Sequence, residues 1–283
     1  MQFARAQVGI AVAIAALLAL TGWLIATLPS RDTPSPRTAP PPSSAGSQPP
    51  ALTPSAGAPA VQDRIRLAGA MQGSSVVNSG SAQEPGHVTS LNGGAVRSVT
   101  EGGDTFLRFP ATVCRTAPCP QVVVELPTAL EPGNGPFSFG ADVRLTKPAD
   151  PGTGMNIFQQ GLAAKGTGQW KLQLDYGHPS CRFSDGQSVV LVPQKLHDSA
   201  FKLEVGAWYS VRCARTASDT FSITVTRRGS STPAATATHK APLGAITPKG
   251  TPTIGGKNIG ADRTDLQTDQ YHDDLANIWW SPR

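Results

Sequence analysis

The sequence predicts an all-β protein whose antiparallel strands form a sandwich. The clearest observation is the segment from Phe137 to Leu145, which reads FSFGADVRL and alternates apolar with polar residues. The same period of two returns in Trp170 to Leu174 and in Thr220 to Thr226. A period of two places the apolar side chains on one face of a strand and the polar ones on the other. Strands of this type, with one face in a core and one in water, favour an antiparallel sandwich.

Further strands are expected where short apolar stretches are bounded by Gly, Pro, Asn or Asp. They are Phe106 to Phe109, Val122 to Leu126, Asn156 to Gln160, Val189 to Val192, Trp208 to Cys213 and Leu275 to Trp280. No window after residue 28 shows a sustained helical period, so the folded part should be nearly all β. The pattern leaves open whether the segment from Val61 to Glu101 is a first strand pair or a loose extension.

The amino-terminal segment predicts a membrane anchor at residues 1 to 28. The run from Val8 to Leu28 is uncharged, and 21 residues at about 1.5 Å each span about 31 Å, close to the hydrocarbon thickness of a bilayer. A cleaved secretory signal, with a shorter apolar centre, is the alternative. Either way the remainder is expected to be extracytoplasmic, held at the cell membrane by one span or secreted after cleavage.

Residues 29 to 60 have the composition of a disordered linker. Ten of these 32 residues are proline, and large apolar side chains are nearly absent. Such a segment cannot bury a core and should form an extended spacer. Residues 61 to 283 then provide the chain of one large β-sandwich domain.

The four cysteines all lie in the folded part and predict two disulfides. Four cysteines allow three pairings, of which Cys114 with Cys119 and Cys181 with Cys213 is the most economical. Disulfides imply an oxidising compartment. A zinc site is the rival interpretation, but the sequence has neither CxxC spacing nor a histidine at ligand spacing.

Charge and motifs exclude several function classes. Lys and Arg number 24 against 19 for Asp and Glu, which is too small an excess, and too dispersed, to indicate nucleic-acid binding. The sequence contains no G-x-S-x-G elbow, no H-E-x-x-H and no Walker motif. Its five histidines are scattered and are expected to be solvated loop residues: His87, His178, His197, His239 and His272.

Several segments together resemble a known family. They are GGDTFLRFP from Gly102, FSFGADVRL from Phe137, NIFQQG from Asn156, WYSVRC from Trp208, and IGGK followed by DQYHDDLANIWW. Between about Gly102 and Trp280 the chain resembles the laminin G-like branch of the concanavalin A-like lectin/glucanase jelly rolls, in anchored or secreted actinobacterial proteins. The resemblance implies an antiparallel jelly-roll β-sandwich. In the last motif Asp273 stands where the family usually has glycine and Ala276 where it has aspartate.

The resemblance does not extend to glucanase chemistry. Glucanases of this fold carry an E-x-D-x-(x)-E pattern on one strand, with one carboxylate as nucleophile and another as acid/base. None of the five glutamates fits that pattern, so we expect a protein that is not an enzyme: Glu84, Glu101, Glu125, Glu131 and Glu204. An acid pair assembled from distant loops, which would make an envelope hydrolase, is the alternative.

Two groups of residues are candidates for binding. The resemblance implies a rim calcium, for which one loop offers five aspartates: Asp262, Asp265, Asp269, Asp273 and Asp274. The alternative is a hydrated turn, neutralised by Arg263 and Lys257. The second group is Trp279 and Trp280. Adjacent residues of a strand cannot both face the core, so one of the two should be exposed or covered by a loop. An exposed tryptophan could stack on a sugar, or it could equally seat the amino-terminal segment. Trp170 and Trp208 are expected to be core residues.

The functional expectation is a non-catalytic binding or adhesion module, with a carbohydrate or a cell-surface protein as partner. A polysaccharide-acting hydrolase and a structural surface protein without a small ligand are the alternatives.

Overall fold

The computed structural model describes residues 62–194, 201–217 and 219–283. The expected anchor at residues 1 to 28 and linker at residues 29 to 60 lie outside the described residues. Within the described ranges, no helix has the length and apolar character that crossing a bilayer requires.

The described part is almost entirely β, as the sequence predicts. Its strands are β1 (Ile65–Gln72), β2 (Ser75–Asn78), β3 (Gly86–Leu91), β4 (Arg97–Glu101), β5 (Asp104–Arg108), β6 (Gln121–Glu125), β7 (Phe137–Arg144), β8 (Gly154–Gln160), β9 (Gln169–Asp175), β10 (His178–Ser184), β11 (Val189–Val192), β12 (Trp208–Ala217), β13 (Thr220–Arg227), β14 (Ala235–Lys240), β15 (Thr253–Ile254) and β16 (Asp274–Pro282). A short helix, α1 (Asp265–Thr268), precedes β16.

Each of the predicted strands is present, with ends that differ by up to a few residues. The segment from Val61 to Glu101, which the pattern left open, contains four strands, β1 to β4. Three further strands, β10, β14 and β15, were not predicted.

All pairings between named strands are antiparallel, in the order β11-β10-β9-β8-β15-β6-β3-β2-β1-β16-β7-β12-β13-β14. The hairpin of β4 and β5 is attached to this path because β5 pairs with β16. The path folds over on itself, so that β8, β9 and β10 face β7, β12 and β13 across a shared core.

Aromatic contacts between the two layers show where that core lies. The ring of Phe139 on β7 lies 4.8 Å from Trp170 on β9, and the ring of Phe183 on β10 lies 4.8 Å from Phe221 on β13. Phe158 on β8 packs edge-on against Trp170 at 4.8 Å. These rings are fully buried, which confirms Trp170 as a core residue.

Two disulfides are present, with the expected pairing. Cys181 on β10 is joined to Cys213 on β12, which links the two layers covalently. Cys114 is joined to Cys119 in the loop before β6. The described residues contain no free cysteine.

A bulge in β16 decides which of the two adjacent tryptophans enters the core. Leu275 faces the core, so strict alternation would also turn Trp279 inward. The register with β7 shifts between Ala276 and Trp279, and Asn277 between them has a left-handed φ of 45°. A bulge inserts one extra residue and reverses the parity beyond it. Ile278 and Trp280 therefore face the core, and Trp279 faces outward.

Candidate ligand-binding groove

Trp279 lies in a row of residues that crosses four neighbouring strands on the outward face. Arg66 of β1 is opposite Trp279 of β16, Trp279 is opposite Gly140 of β7, and Gly140 is opposite Arg212 of β12. Neighbours in such a row share one face of the sheet. The row thus sets an indole between two arginines.

Gly140 leaves the space that the indole occupies. A Cβ at this position would lie 2.3 Å from the carbonyl oxygen of Val211 and 3.1 Å from Cζ2 of Trp279. Because glycine has no side chain, the indole ring lies directly over β7. The guanidinium of Arg212 is 5.8 Å from the centroid of the indole ring.

Together these side chains line a groove with a volume of about 420 Å³. The next row of the sheet adds two hydroxyl groups, since Ser281 is opposite Ser138. Arg283 closes one side, where its Nε donates to Oγ of Ser138 at 3.2 Å. The groove therefore combines one aromatic ring, three arginines and two hydroxyls.

The groove has an excess of positive charge. Among the described residues that line it, one side chain is a carboxylate, Asp63, which accepts from Nη1 of Arg66 at 2.8 Å. Within the described ranges, Arg212 and Arg283 form no ion pair with a carboxylate. Arginine presents several donors in a planar fork that fits carboxylate, sulfate and phosphate groups, and an indole face stacks on apolar or weakly polar rings.

A second polar network holds the bulge that exposes Trp279. Asp142 of β7 accepts from Nδ2 of Asn277 at 2.7 Å and from Nη2 of Arg228 at 2.7 Å. Arg228 also lies over the ring of Trp208, 4.6 Å from its centroid. Trp208 is half-buried on this outward face, so the expectation that it belongs to the core is wrong.

The reason lies in the strand parity of β12. Tyr209, Val211 and Cys213 face the core, which turns Trp208 outward with Arg212. Arginine side chains shield the indole of Trp208 from water. The guanidinium of Arg144, which is on β7, lies 4.9 Å from the centroid of that ring.

The five aspartates of the expected calcium loop lie in different surroundings. Asp262 is exposed. Asp265 is buried at the start of α1, where its carboxylate accepts from the backbone N–H of Cys114 and lies 3.2 Å from Nε2 of His272. The expectation that His272 is a solvated loop residue is wrong, because its ring is buried and Nδ1 contacts the carbonyl oxygen of Pro110 at 2.8 Å.

The other aspartates of this loop have partners of their own. Asp269 pairs with Nζ of Lys257 at 3.2 Å, and Asp273 accepts from the backbone N–H of Thr146 at 2.7 Å. Burial raises the pKa of Asp273, although the hydrogen bonds from Thr146 act in the opposite direction.

Asp274, the last of the five, is fully buried between Arg108 and Arg144. Among the described residues, no group of three or more His, Cys, Asp or Glu side chains is placed to hold a metal ion. The structure therefore does not bring the five carboxylates of the expected calcium loop together.

The two tryptophan candidates separate. Trp279 lines the groove, whereas Trp280 is 2% exposed and packs near Phe137 in the core, with 6.1 Å between ring centroids. The three arginines of the groove were not anticipated from the sequence. The outward parity of β12 could have indicated Arg212, but Arg66 and Arg283 reach the groove only through the pairing of β1 and the chain end with β16 and β7.

Comparisons with known proteins assign no family. No family model matches the chain, and no curated protein matches it. Among solved structures, the binding domain of Paraclostridial Mosquitocidal Protein 1 is similar at 11% identity and a TM-score of 0.49, over 78% of this chain and 49% of that one. The botulinum neurotoxin serotype D binding domain gives 10% identity and a TM-score of 0.48, over 78% and 48%.

A third structure, the binding domain of Botulinum Neurotoxin DC in complex with SialylT, gives 10% identity and a TM-score of 0.49, over 77% of this chain and 47% of that one. This chain spans about half the length of the structures it matches. Similarity of this extent says nothing about the groove.

Proposed function

We propose that the domain is a non-catalytic carbohydrate-binding module of the laminin G-like jelly-roll type, and that the groove around Trp279 holds the sugar. The observation that carries this proposal is the row Arg66, Trp279, Gly140 and Arg212, which sets a half-buried indole between two arginines. An indole stacks on the apolar face of a pyranose ring, while the arginines and the serine hydroxyls supply hydrogen bonds to its substituents.

The arginines favour a sugar that carries negative charge. Arg212 and Arg283 are not neutralised by a carboxylate in the described part of the chain, and Asp63 offsets only Arg66. A uronate, sulfate or phosphate substituent would complete their hydrogen bonding. We therefore propose acidic polysaccharides as the preferred partner.

The composition of the groove favours binding over hydrolysis. Glycosidases use two carboxyl groups on either side of the scissile bond. In the part of the chain that the structure describes, one carboxylate side chain lines the groove, Asp63, and it is already paired with Arg66. The alternative of an envelope hydrolase with a dispersed acid pair has no support at this site.

The two disulfides support an extracytoplasmic location. In the arrangement we propose, residues 1 to 28 anchor the protein in the cell membrane, residues 29 to 60 space the domain from it, and the domain binds polysaccharide or a glycosylated surface partner.

The test is a glycan array probed with the purified full-length protein, which should bind acidic glycans more tightly than neutral ones of the same backbone. Trp279→Ala should weaken binding at least tenfold, since stacking is lost. Leu266→Ala is the matched control, because it removes an exposed apolar side chain outside the groove. Chelator should leave binding unchanged, since Asp63, the one carboxylate side chain among the described residues of the groove, is paired with Arg66. Indifference to every glycan would favour a structural role or a protein partner instead.

A further inference from the structure

The second feature of interest lies on the other layer of the sandwich, on the outward face of β8 to β10. Lys171 of β9 and Arg182 of β10 are directly opposite each other in the antiparallel pair. Trp170 and Leu172 flank Lys171 in sequence and face the core, so Lys171 projects from the opposite face, as Arg182 does.

Two like charges in this position are unfavourable without an anion between them. Directly opposed residues have Cβ atoms about 5 Å apart, and like charges there destabilise a sheet. Within the described ranges, neither Lys171 nor Arg182 forms an ion pair with a carboxylate. The charges of Asp269 and Asp175 favour the protonated form of Lys171.

The site also contains buried polar atoms that have no partner in the described structure. Nε of Arg182 is buried and donates to no acceptor, and Oγ of Ser180, which is 0% exposed, has no hydrogen bond. Ser180 and Arg182 are two residues apart on β10 and share its outward face. Buried donors of this kind are normally satisfied.

Burial lowers the pKa of Lys171, an effect that Asp269 and Asp175 oppose and Arg182 reinforces, and it also lowers the pKa of Arg182. An oxyanion in contact with both groups would relieve the repulsion and supply the missing acceptors.

A cavity of about 190 Å³ opens beside Arg182. Ser184, Gly186 and the exposed Lys165 also line it. An anionic group entering here would meet Arg182 of β10 and Lys165 of the loop between β8 and β9, and Lys171 lies directly opposite Arg182 on the neighbouring strand.

We propose that Lys171 and Arg182 form a second ligand site, which binds an oxyanion group: the carboxylate, sulfate or phosphate of a ligand. Arg182 binds it with its guanidinium fork, Lys171 contributes a point charge, and Ser180 adds a hydroxyl donor. The site is on the opposite layer from the groove around Trp279 and does not depend on it.

The experiment uses purified full-length protein titrated with sodium sulfate, sodium phosphate and sodium acetate, each against sodium chloride at the same ionic strength. Thermal unfolding and calorimetry report binding. An anion that binds only the folded state makes the protein more stable as the concentration of the anion increases. We expect stabilisation beyond that of chloride, and the ranking of the three salts identifies the oxyanion.

Lys171→Met and Arg182→Gln should each weaken the anion response at least fivefold. Lys171→Arg should retain it, and Arg97→Gln, which removes an exposed charge on β4, should change it less than twofold. Without added oxyanion, Lys171→Met should unfold at a temperature no lower than the wild type, because it relieves repulsion. A purely structural lysine would give a lower one.

Three results would overturn the proposal: no oxyanion-specific stabilisation of the wild type, an unchanged response in Lys171→Met and Arg182→Gln, or loss of the response in Trp279→Ala. The last result would assign the anion to the groove. Loss of glycan binding in Trp279→Ala with a retained anion response supports both sites independently.

Discussion

The carboxylate of Asp274 is fully buried against the guanidinium of Arg144, whose Nη2 donates to Oδ2 at 2.6 Å. On the other side, Nε of Arg108 donates to Oδ1 at 2.8 Å. The three residues lie opposite one another on β5, β16 and β7, so one carboxylate joins three strands. Trp208 of β12 is opposite Arg144 in the same row.

We predict that Asp274→Ala lowers the free energy of unfolding by about 3–5 kcal/mol, because two arginines would lose their buried partner. Urea denaturation measures this. Glu101→Gln is the control, since Glu101 contacts the same two arginines from the surface, and an exposed pair contributes only about 0–1 kcal/mol. Equal effects of the two changes would contradict the assignment of the energy to the buried carboxylate.

The disulfide between the layers should contribute more than the local one. In the chain-entropy model, the Cys181 to Cys213 link, with a sequence separation of 32, stabilises the fold by about 3.7 kcal/mol. The Cys114 to Cys119 link, with a separation of 5, contributes about 2 kcal/mol. Denaturation of the two double-serine variants tests the order, and a larger loss for the local link would contradict it.

The adjacent tryptophans should separate stability from binding. Trp280→Ala leaves a cavity beside Phe137 and should cost about 3–5 kcal/mol of unfolding free energy. Trp279→Ala changes the surface and should cost less than about 1.5 kcal/mol. Thermal denaturation of both variants measures this. A similar loss for both would mean that the bulge at Asn277 does not separate them.

Asp185 should make the stability of the protein depend on pH in the acid range. Burial acts to raise the pKa of Asp185, but backbone hydrogen bonds from Ser188, Gly244 and Gln187 outweigh it and lower that pKa. A carboxyl whose pKa is lowered by folding contributes stability above its unfolded pKa, about 3.9, and loses it as pH falls through the folded value. Asp185→Ala should therefore cost about 1–2 kcal/mol at pH 7.

The difference between wild type and Asp185→Ala should shrink as pH drops below about 4, which urea titrations at several pH values can follow. Asp219→Ala, an exposed aspartate, is the control. A difference that is constant from pH 7 down to pH 2 would show that the charge of Asp185 is not what ties its loop to Gly244.

Lys171 should make the stability of the protein depend on pH in the alkaline range. Because burial lowers its pKa in the folded state, the unfolded chain binds more protons, and stability rises with pH between the folded value and about 10.4. Comparing the alkaline stability profile of Lys171→Met with that of the wild type isolates this contribution. Parallel profiles would contradict the burial of a charged lysine.

The sequence predicted the strands whose alternation is regular, because period two follows directly from one face being in the core. It also predicted the disulfides, because pairing neighbouring cysteines along the chain is the most economical of the three possible pairings. The four strands before Glu101 could not be predicted with the same certainty: β1 is positioned by β16, more than 200 residues later in the chain. Long-range pairing of this kind leaves little local signature.

The candidate site was predicted only in part. Adjacency of Trp279 and Trp280 required that one face outward, but the bulge that selects Trp279 depends on Asn277 and on its bond to Asp142. Arg215 shows the same limitation. On parity alone it is a core position of β12, and it is tolerated there because its Nη2 donates to the carbonyl of Leu243 at 2.7 Å.

Sugar binding by Trp279 and its neighbouring arginines is tested by calorimetric titration of the tightest-binding acidic glycan from the array into wild type, Trp279→Ala, Trp279→Phe and Arg212→Gln. We expect at least tenfold weaker binding for Trp279→Ala, partial recovery in Trp279→Phe, and a loss in Arg212→Gln that becomes smaller with added salt. Unchanged dissociation constants in all three variants would mean that the ligand binds elsewhere and that the groove around Trp279 is not the sugar site.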